Sequence, residues 1–362
     1  MSKLKLFFVG GFLGSGKTTA IAGAAAYLQR NNVDVSVITN DQGVQQVDTK
    51  FIRGRNISSE EISGGCFCCN YHELDQSIES LRLSEQPDII FAESVGSCTD
   101  LAATVVNPLL SYNQEQYEIV LSVFADIRLV LRFLMNERPA FHDTVSYIYQ
   151  LQLKEADIIV VNKADLLDGE QVEQVRQLME LEYPDKIILF QNSLSEESVK
   201  RWLDTCDNFK NRSMRSTPEV DYNIYGAGEA QLAWLDEEIG IVTSQKDAVK
   251  TAYSFMHTVY NSITAKGYPV GHLKFLLDDG VGQKKISFTS FSEAVDNDPE
   301  YPETNKVILL INARIQAEPV LLRALVREVI TEIENSTGCK MMEYTLSSFQ
   351  PGYPRPTHRI TA

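Results

Sequence analysis

Gly11-Phe12-Leu13-Gly14-Ser15-Gly16-Lys17-Thr18 fulfils the pattern G-x-x-x-x-G-K-[ST]. An apolar run from Leu4 to Val9, with the composition of a buried strand, leads into it, and a helical run from Thr19 to Arg30 follows. In that setting the glycines let backbone N–H groups converge on phosphate oxygens, and the helix N-terminus adds partial positive charge. Gly11, Gly14, Ser15, Gly16, Lys17, Thr18 and Thr19 are therefore the expected phosphate cradle. Lys17 is expected to bridge the β- and γ-phosphates, and Thr18 to offer its hydroxyl to Mg²⁺. Lys3 and Lys5 ahead of the apolar run imitate a signal peptide. The run is too short, however, and no small-residue cleavage site follows it, so a strand is expected instead.

Working outward, further β-rich apolar runs recur with helical stretches between them: Val33–Thr39, Asp88–Ala92, Ile119–Ala125, Asp157–Val161 and Lys186–Phe190. Near-continuous apolar strands alternating with helices predict an α/β fold, a mostly parallel sheet covered by helices on both faces. Such sheets bind ligands at the strand C-terminal ends. This P-loop NTPase domain is expected over residues 1–215. The polar stretch Asn208–Asn223 marks a linker. Residues 216–362 then predict a smaller α+β domain. Its strands are expected near Glu238–Thr243, His272–Leu277, Lys285–Thr289, Lys306–Ala313 and Lys340–Leu346, with helices over Gln245–Thr264 and Pro319–Asn335, the second ended by Gly338. The turn Asp278-Asp279-Gly280 joins neighbouring strands antiparallel.

Composition narrows the function classes. A chain of 362 residues, 44% of them hydrophobic, can bury the cores of two domains. With 33 Lys and Arg against 49 Asp and Glu, the formal charge is −16, which argues against nucleic acid as a partner. No uninterrupted apolar stretch of about 18 residues exists, so no membrane association is expected. Six cysteines are sparse for a secreted disulfide scaffold, and a cytoplasmic protein is expected.

Asn162-Lys163-Ala164-Asp165 follows the strand Asp157–Val161. A carboxylate there accepts hydrogen bonds from guanine N1–H and the 2-amino group, a donor pair adenine lacks, so Asn162, Lys163 and Asp165 select GTP. Ser193 and Leu194, within Asn192-Ser193-Leu194 after the next strand, are placed to contact the base through the backbone. Asp41, in Asn40-Asp41-Gln42-Gly43, and Glu93, in Glu93-Ser94-Val95-Gly96, close the second and third predicted strands at the P-loop edge. Either can hold Mg²⁺ through water or orient an attacking water, and Gly96 can offer its N–H to the γ-phosphate.

Gly64-Gly65-Cys66-Phe67-Cys68-Cys69 packs half of the cysteines into four positions. Three soft thiolates at Cys66, Cys68 and Cys69 suit a transition metal, Zn²⁺ first, with Co²⁺, Ni²⁺ or Cu⁺ as alternatives, and leave one coordination position open for transfer. Cys98, His72, Glu73 and Asp75 are weaker candidates for completing the shell. Cys206 and Cys339 read as packing thiols. The five histidines are scattered, which gives no support to metal storage through a His tail.

The P-loop, Asn40-Asp41-Gln42-Gly43, the Cys-x-Cys-Cys run, the segment from Glu93 to Gly96 and N-K-x-D, in this order, resemble the CobW family of P-loop GTPases over about residues 4–205. That resemblance implies a GTPase with Glu93 in the Walker B region and a Cys-x-Cys-Cys metal site coupled to nucleotide state. Relatives of that family assist nickel insertion into urease and hydrogenase or act as the GTPase chaperone of methylmalonyl-CoA mutase. Two departures stand out. The segment Glu93 to Asp100 has Cys98 where the family commonly reads E-x-[ST]-G-x-A-x-P, and the C-terminal half matches weakly.

The expected function is a GTP-hydrolysing metallochaperone that delivers metal to a client apo-metalloenzyme and that can act as a homodimer. Two rivals are kept. One is an activator of a corrinoid-dependent or other metalloenzyme that delivers no metal, and the other is a metal-sensing switch with negligible turnover.

Overall fold

The computed structural model describes residues 3–43, 47–55, 57–113, 116–135, 137, 140–292 and 301–362. In chain order the elements are β1 (Leu4–Gly11), α1 (Lys17–Arg30), β2 (Val35–Asn40), α2 (Val47–Arg53), β3 (Ser58–Ile62), α3 (Tyr71–Ser84), β4 (Ile89–Glu93), α4 (Asn107–Asn113), β5 (Tyr117–Asp126), α5 (Ile127–Leu134) and α6 (Asp143–Glu155). There follow β6 (Ile158–Asn162), α7 (Gly169–Glu182), β7 (Ile187–Gln191), α8 (Glu196–Asn208), α9 (Tyr222–Ala230), β8 (Leu232–Val242), α10 (Ala248–Ala265), β9 (Val270–Asp278), β10 (Gln283–Phe288), β11 (Lys306–Gln316), α11 (Pro319–Thr337) and β12 (Lys340–Phe349).

The chain forms two compact units. The first comprises residues 1–42, 55–228 and 353–362, and is built on a seven-stranded parallel sheet ordered β3-β2-β4-β1-β5-β6-β7. Its central strands are apolar throughout: Leu6, Phe7, Phe8 and Val9 of β1 and Ile90 and Phe91 of β4 are buried, as burial on both faces requires. Because every strand runs the same way, the ends of β1, β2, β4, β6 and β7 share one edge. There Val9 pairs Glu93, Thr39 pairs Glu93, and Asn162 pairs Gln191.

The six strands expected for this unit are present, and the sheet has a seventh, β3. Its sequence, Ser58-Ser59-Glu60-Glu61-Ile62, is polar because it is an edge strand with a partner on one side, so no apolar run announces it.

The second unit, residues 43–54 and 229–352, holds a five-stranded antiparallel sheet ordered β10-β9-β11-β8-β12. One face packs Ile239, Phe275, Leu309 and Ile311 against Phe255 of α10 and Val326 of α11. On the opposite face, as the strand period of two dictates, Leu276 and Leu310 meet Val47 of α2. The Val47 N–H donates to Asn312 Oδ1 at 2.9 Å. Asp48 is clamped by the ammonium groups of Lys274 and Lys285, the latter at 2.6 Å. Burial pushes the Asp48 carboxyl up, but the two lysines outweigh it and hold the group well below the usual carboxylate range.

This division differs from a single cut at 215/216. Residues 216–228 stay with the first sheet, the expected linker ends in helix α9, the last ten residues return to the first unit, and 43–54 join the second. No described helix is long and apolar enough to cross a membrane.

Candidate functional site

The loop after β1 is shaped by its own backbone. Gly16, at φ 94°, caps α1 in the left-handed region, where a Cβ would also run into the Asn162 side chain. Lys17 and Thr18 open the helix and are buried. Lys17 Nζ donates to Gly11 O at 2.7 Å and Phe12 O at 3.4 Å, so the ammonium is already folded back over the loop. Thr18 Oγ1 donates to Glu93 Oε1 at 2.8 Å. Ser15 Oγ is buried with no hydrogen-bond partner among the described residues. A buried orphan hydroxyl and a hydroxyl–carboxylate pair at a helix N-terminus fit a nucleotide phosphate with Mg²⁺.

Gly96 lies directly against this loop, for a Cβ there would stand 3.1 Å from Leu13 Cα and N. A larger residue there would have to push Leu13 aside, its Cδ2 lying 2.7 Å from that Cβ. Gln152 of α6 holds the turn from behind, donating from Nε2 to Gly96 O at 3.1 Å and to Cys98 O at 2.7 Å. Three residues on, Glu155 accepts from Thr99 Oγ1 at 3.1 Å and the Ala102 N–H at 3.0 Å. Burial pushes its carboxyl up to about 8. Neither α6 residue was expected to matter; the signal was two polar side chains, Gln152 and Glu155, among the buried Ile148, Tyr149, Leu151 and Leu153.

Asn162, at the end of β6, ties the segment after β7 to the loop after β1. Its Nδ2 donates to Ser15 O at 2.7 Å, while Oδ1 accepts from Ser193 N–H at 3.2 Å and Ser193 Oγ at 2.8 Å. Ser193 is thereby a brace for Asn162. Leu194 is exposed, and its N–H donates to Asn192 Oδ1 at 2.8 Å. Lys163, at φ 62°, donates from Nζ to Asp126 Oδ2 at 2.9 Å. Burial pushes Asp126 up, but hydrogen bonds from Arg128 and the Lys163 charge outweigh it and hold the carboxyl below its ordinary range. Asp165 stands exposed on the single 3-10 turn Ala164–Leu166.

The cysteine run forms the turn between β3 and α3. Cys66 Sγ lies 2.8 Å from Cys68 Sγ and 3.3 Å from Cys69 Sγ, and Cys68 Sγ lies 3.8 Å from Cys69 Sγ. Tetrahedral ligands about 2.3 Å from zinc sit about 3.8 Å apart, so small side-chain rotations bring this set to a metal's ligand spacing. Among the described residues these three are the group whose ligand atoms lie within 4.8 Å of one another. His72, Glu73 and Asp75 are not part of it. His72 instead packs edge-on against Tyr71 and His358. Hydrogen bonds from Cys68 and Cys69 hold the Cys66 thiol well below the usual range, while hydrogen bonds with Cys66 and Cys69, and burial, push Cys68 up. Cys69 is pushed up to about 11, chiefly by its hydrogen bond with Cys66. Cys206 and Cys339 are buried apart from this cluster.

Two features fasten this turn to the rest of the unit. Asn40, immediately before Asp41, donates from Nδ2 to Gly65 O at 2.7 Å and accepts the Phe67 N–H at 2.9 Å. From the far end of the sequence, the Arg355 N–H donates to Cys69 Sγ at 3.3 Å, and Thr357 donates from N–H to Cys68 O at 2.8 Å and from Oγ1 to Cys69 O at 2.9 Å. Nothing in the spacing of the sequence announces that return of the tail.

The family model for the CobW/HypB/UreG nucleotide-binding domain matches residues 5–189. The zinc chaperone YeiR of Escherichia coli K12 is 29% identical over 165 residues, covering 43% of this chain and 45% of that protein. The zinc chaperone CobW of Pseudomonas aeruginosa is 27% identical over 228 residues, 54% of this chain and 58% of that one. The chain thus spans about half the length of the curated relatives it matches. Among solved structures, HypB from Helicobacter pylori in complex with nickel aligns with a TM-score of 0.42 and 19% identity over 60% of this chain and 92% of that one.

Proposed function

Because the chain belongs to the CobW/HypB/UreG family of nucleotide-binding domains, we propose that it binds and hydrolyses GTP and couples nucleotide state to the binding and delivery of a transition metal, Zn²⁺ first, at Cys66, Cys68 and Cys69. The observation that carries this reading is Asn40. One side chain grips the cysteine turn from both sides and directly precedes Asp41 at the phosphate edge, so a shift of that edge moves the metal ligands with it. The zinc chaperones among the relatives support zinc as the cargo.

In this reading the N–H groups of residues 14–17 cradle the phosphates, and Lys17 Nζ moves from Gly11 O to the β- and γ-phosphate oxygens. Thr18 and Glu93 would hold Mg²⁺, which when bound neutralises charge on the β–γ bridge. Asp165 accepts from the guanine N1–H and 2-amino group, held at the sheet edge through Asn162. Glu93 or Asp41 orients a water for in-line attack. The water oxygen bonds the γ-phosphorus as the β–γ bridging bond breaks, giving GDP and phosphate, and the water's proton passes to the departing phosphate or solvent. Gly96, against Leu13, relaxes when the γ-phosphate leaves, and the cargo metal passes to a client apo-metalloenzyme. A cytoplasmic setting agrees with six free thiols.

The test measures GTP turnover, together with Zn²⁺ stoichiometry and affinity, on anaerobically purified protein with GDP and with a non-hydrolysable GTP analogue. We expect about one Zn²⁺ per chain, an affinity that differs at least about 10-fold between the two nucleotides, a coupling of about 1.4 kcal/mol, and loss of that site in Cys66→Ala. Equal affinities, or unchanged stoichiometry in Cys66→Ala, refute the proposal.

A further inference from the structure

Behind the three-cysteine turn lies a fourth thiol. Cys98 is fully buried on the segment leaving β4, and its side chain hydrogen-bonds Cys66, the cysteine that also touches Cys68 and Cys69. The segment is built to present it. The Cys98 N–H closes a turn onto Val95 O at 3.1 Å, and Gln152 grips the Cys98 carbonyl. Cys98 is also one of the positions, with Val95 and Asp100, at which this chain departs from E-x-[ST]-G-x-A-x-P.

We propose that Cys98 is the fourth ligand of the metal site, completing with Cys66, Cys68 and Cys69 a four-thiolate tetrahedron for a soft divalent cation, Zn²⁺ above all. The inference rests on the reading of Cys66, Cys68 and Cys69 as a metal site and adds the residue that closes it. Four thiolates make the coordination of retention, whereas three leave a position open to an incoming ligand. Cys98 reaches the cluster through Cys66 and lies outside the group whose sulfurs are all within 4.8 Å, so closing the tetrahedron requires its turn to advance.

That turn begins at Glu93, bonded to Thr18, and contains Gly96, packed on Leu13. Advance of Cys98 and rearrangement of the phosphate edge are therefore one movement. Nucleotide state then selects between a closed four-sulfur site and an open three-sulfur one, through a covalent path of six residues from Glu93 to Cys98.

The experiment counts sulfur ligands at bound zinc by X-ray absorption on the full chain, and follows thiolate-to-metal charge transfer with Co²⁺ as the probe. Wild type, Cys98→Ala, Cys98→Ser and Cys66→Ala are each measured with GDP and with a non-hydrolysable GTP analogue. We expect four sulfurs in wild type with one of the nucleotides. Both Cys98 variants should show three sulfurs plus an oxygen or nitrogen, with Zn²⁺ affinity down about 10–100-fold. Cys98→Ser retains the volume and a hydrogen-bonding group should Cys98→Ala fail to fold. Three sulfurs in wild type with both nucleotides, or four in a Cys98 variant, overturn the inference and leave the three-cysteine reading standing. No zinc on wild type overturns both.

Discussion

Glu155 braces the turn that carries Gly96 and Cys98, and its charge state should be written into the stability of the first unit. The carboxyl is buried beneath Thr99 and Ala102, and burial, with the nearby Asp100 charge adding, moves its pKa from 4.5 to about 8 against the pull of its hydrogen bonds. The folded state therefore keeps a proton that the unfolded chain releases between pH 4.5 and about 8. The contribution is complete below pH 4.5, falls as pH rises through that window, and is flat above it. At about 1.36 kcal/mol per pH unit the window sets a ceiling of about 5 kcal/mol, of which local relaxation and water entry should leave about 2–3 kcal/mol.

Glu155→Gln removes the titration and retains one acceptor oxygen, where Glu155 offers one each to Thr99 and Ala102. Urea unfolding from pH 5 to 9 would be followed by Trp202, buried in the first unit, with Trp234 of the second replaced by Phe in both proteins so that a single unit reports. A fixed offset at pH 5 is expected from the altered polar group. Above it, the Gln protein should gain about 2–3 kcal/mol relative to Glu by pH 9. Parallel stability curves across the whole range would refute the buried, proton-holding carboxyl.

Asp165→Asn replaces an acceptor pair with an amide that can donate, so GTP affinity should fall at least about 100-fold while xanthosine triphosphate gains, as competition binding would show; unchanged GTP affinity refutes the base assignment. Arg359→Ala should destabilise the first unit by about 1–3 kcal/mol at pH 7, the usual cost discounted for a partly exposed partner, because buried Asp100 loses the guanidinium 2.8 Å away. That deficit should shrink on acidification, since burial already pushes Asp100 up and its protonation removes the unpaired charge; a deficit independent of pH would contradict this.

The first unit's parallel sheet, its glycine-rich loop, the Asn162–Asp165 segment and the cysteine run were all legible in the sequence, because each is a local pattern formed by neighbouring residues. A helix must follow Gly16, and strands apolar on both faces must be central. The polar β3 was not legible, since an edge strand needs few apolar side chains. Nor were Gln152 and Glu155, two residues of a helix distant in sequence from the turn they hold. Residues 43–54 follow the second strand directly, yet they fold with the antiparallel sheet, where Val47 finds Leu276 and Leu310 and Asp48 finds two lysines. Sequence alone determined the parallel sheet of the first unit and singled out the glycine-rich loop and the cysteine run as candidates for its chemistry. Tertiary structure alone decided that Asn40 joins the end of β2 to the cysteine turn, that Cys98 meets Cys66, and that Arg355 and Thr357 return to the cysteines, because contacts between segments tens to hundreds of residues apart are set by how the sheet stacks its strand ends, which no local pattern encodes.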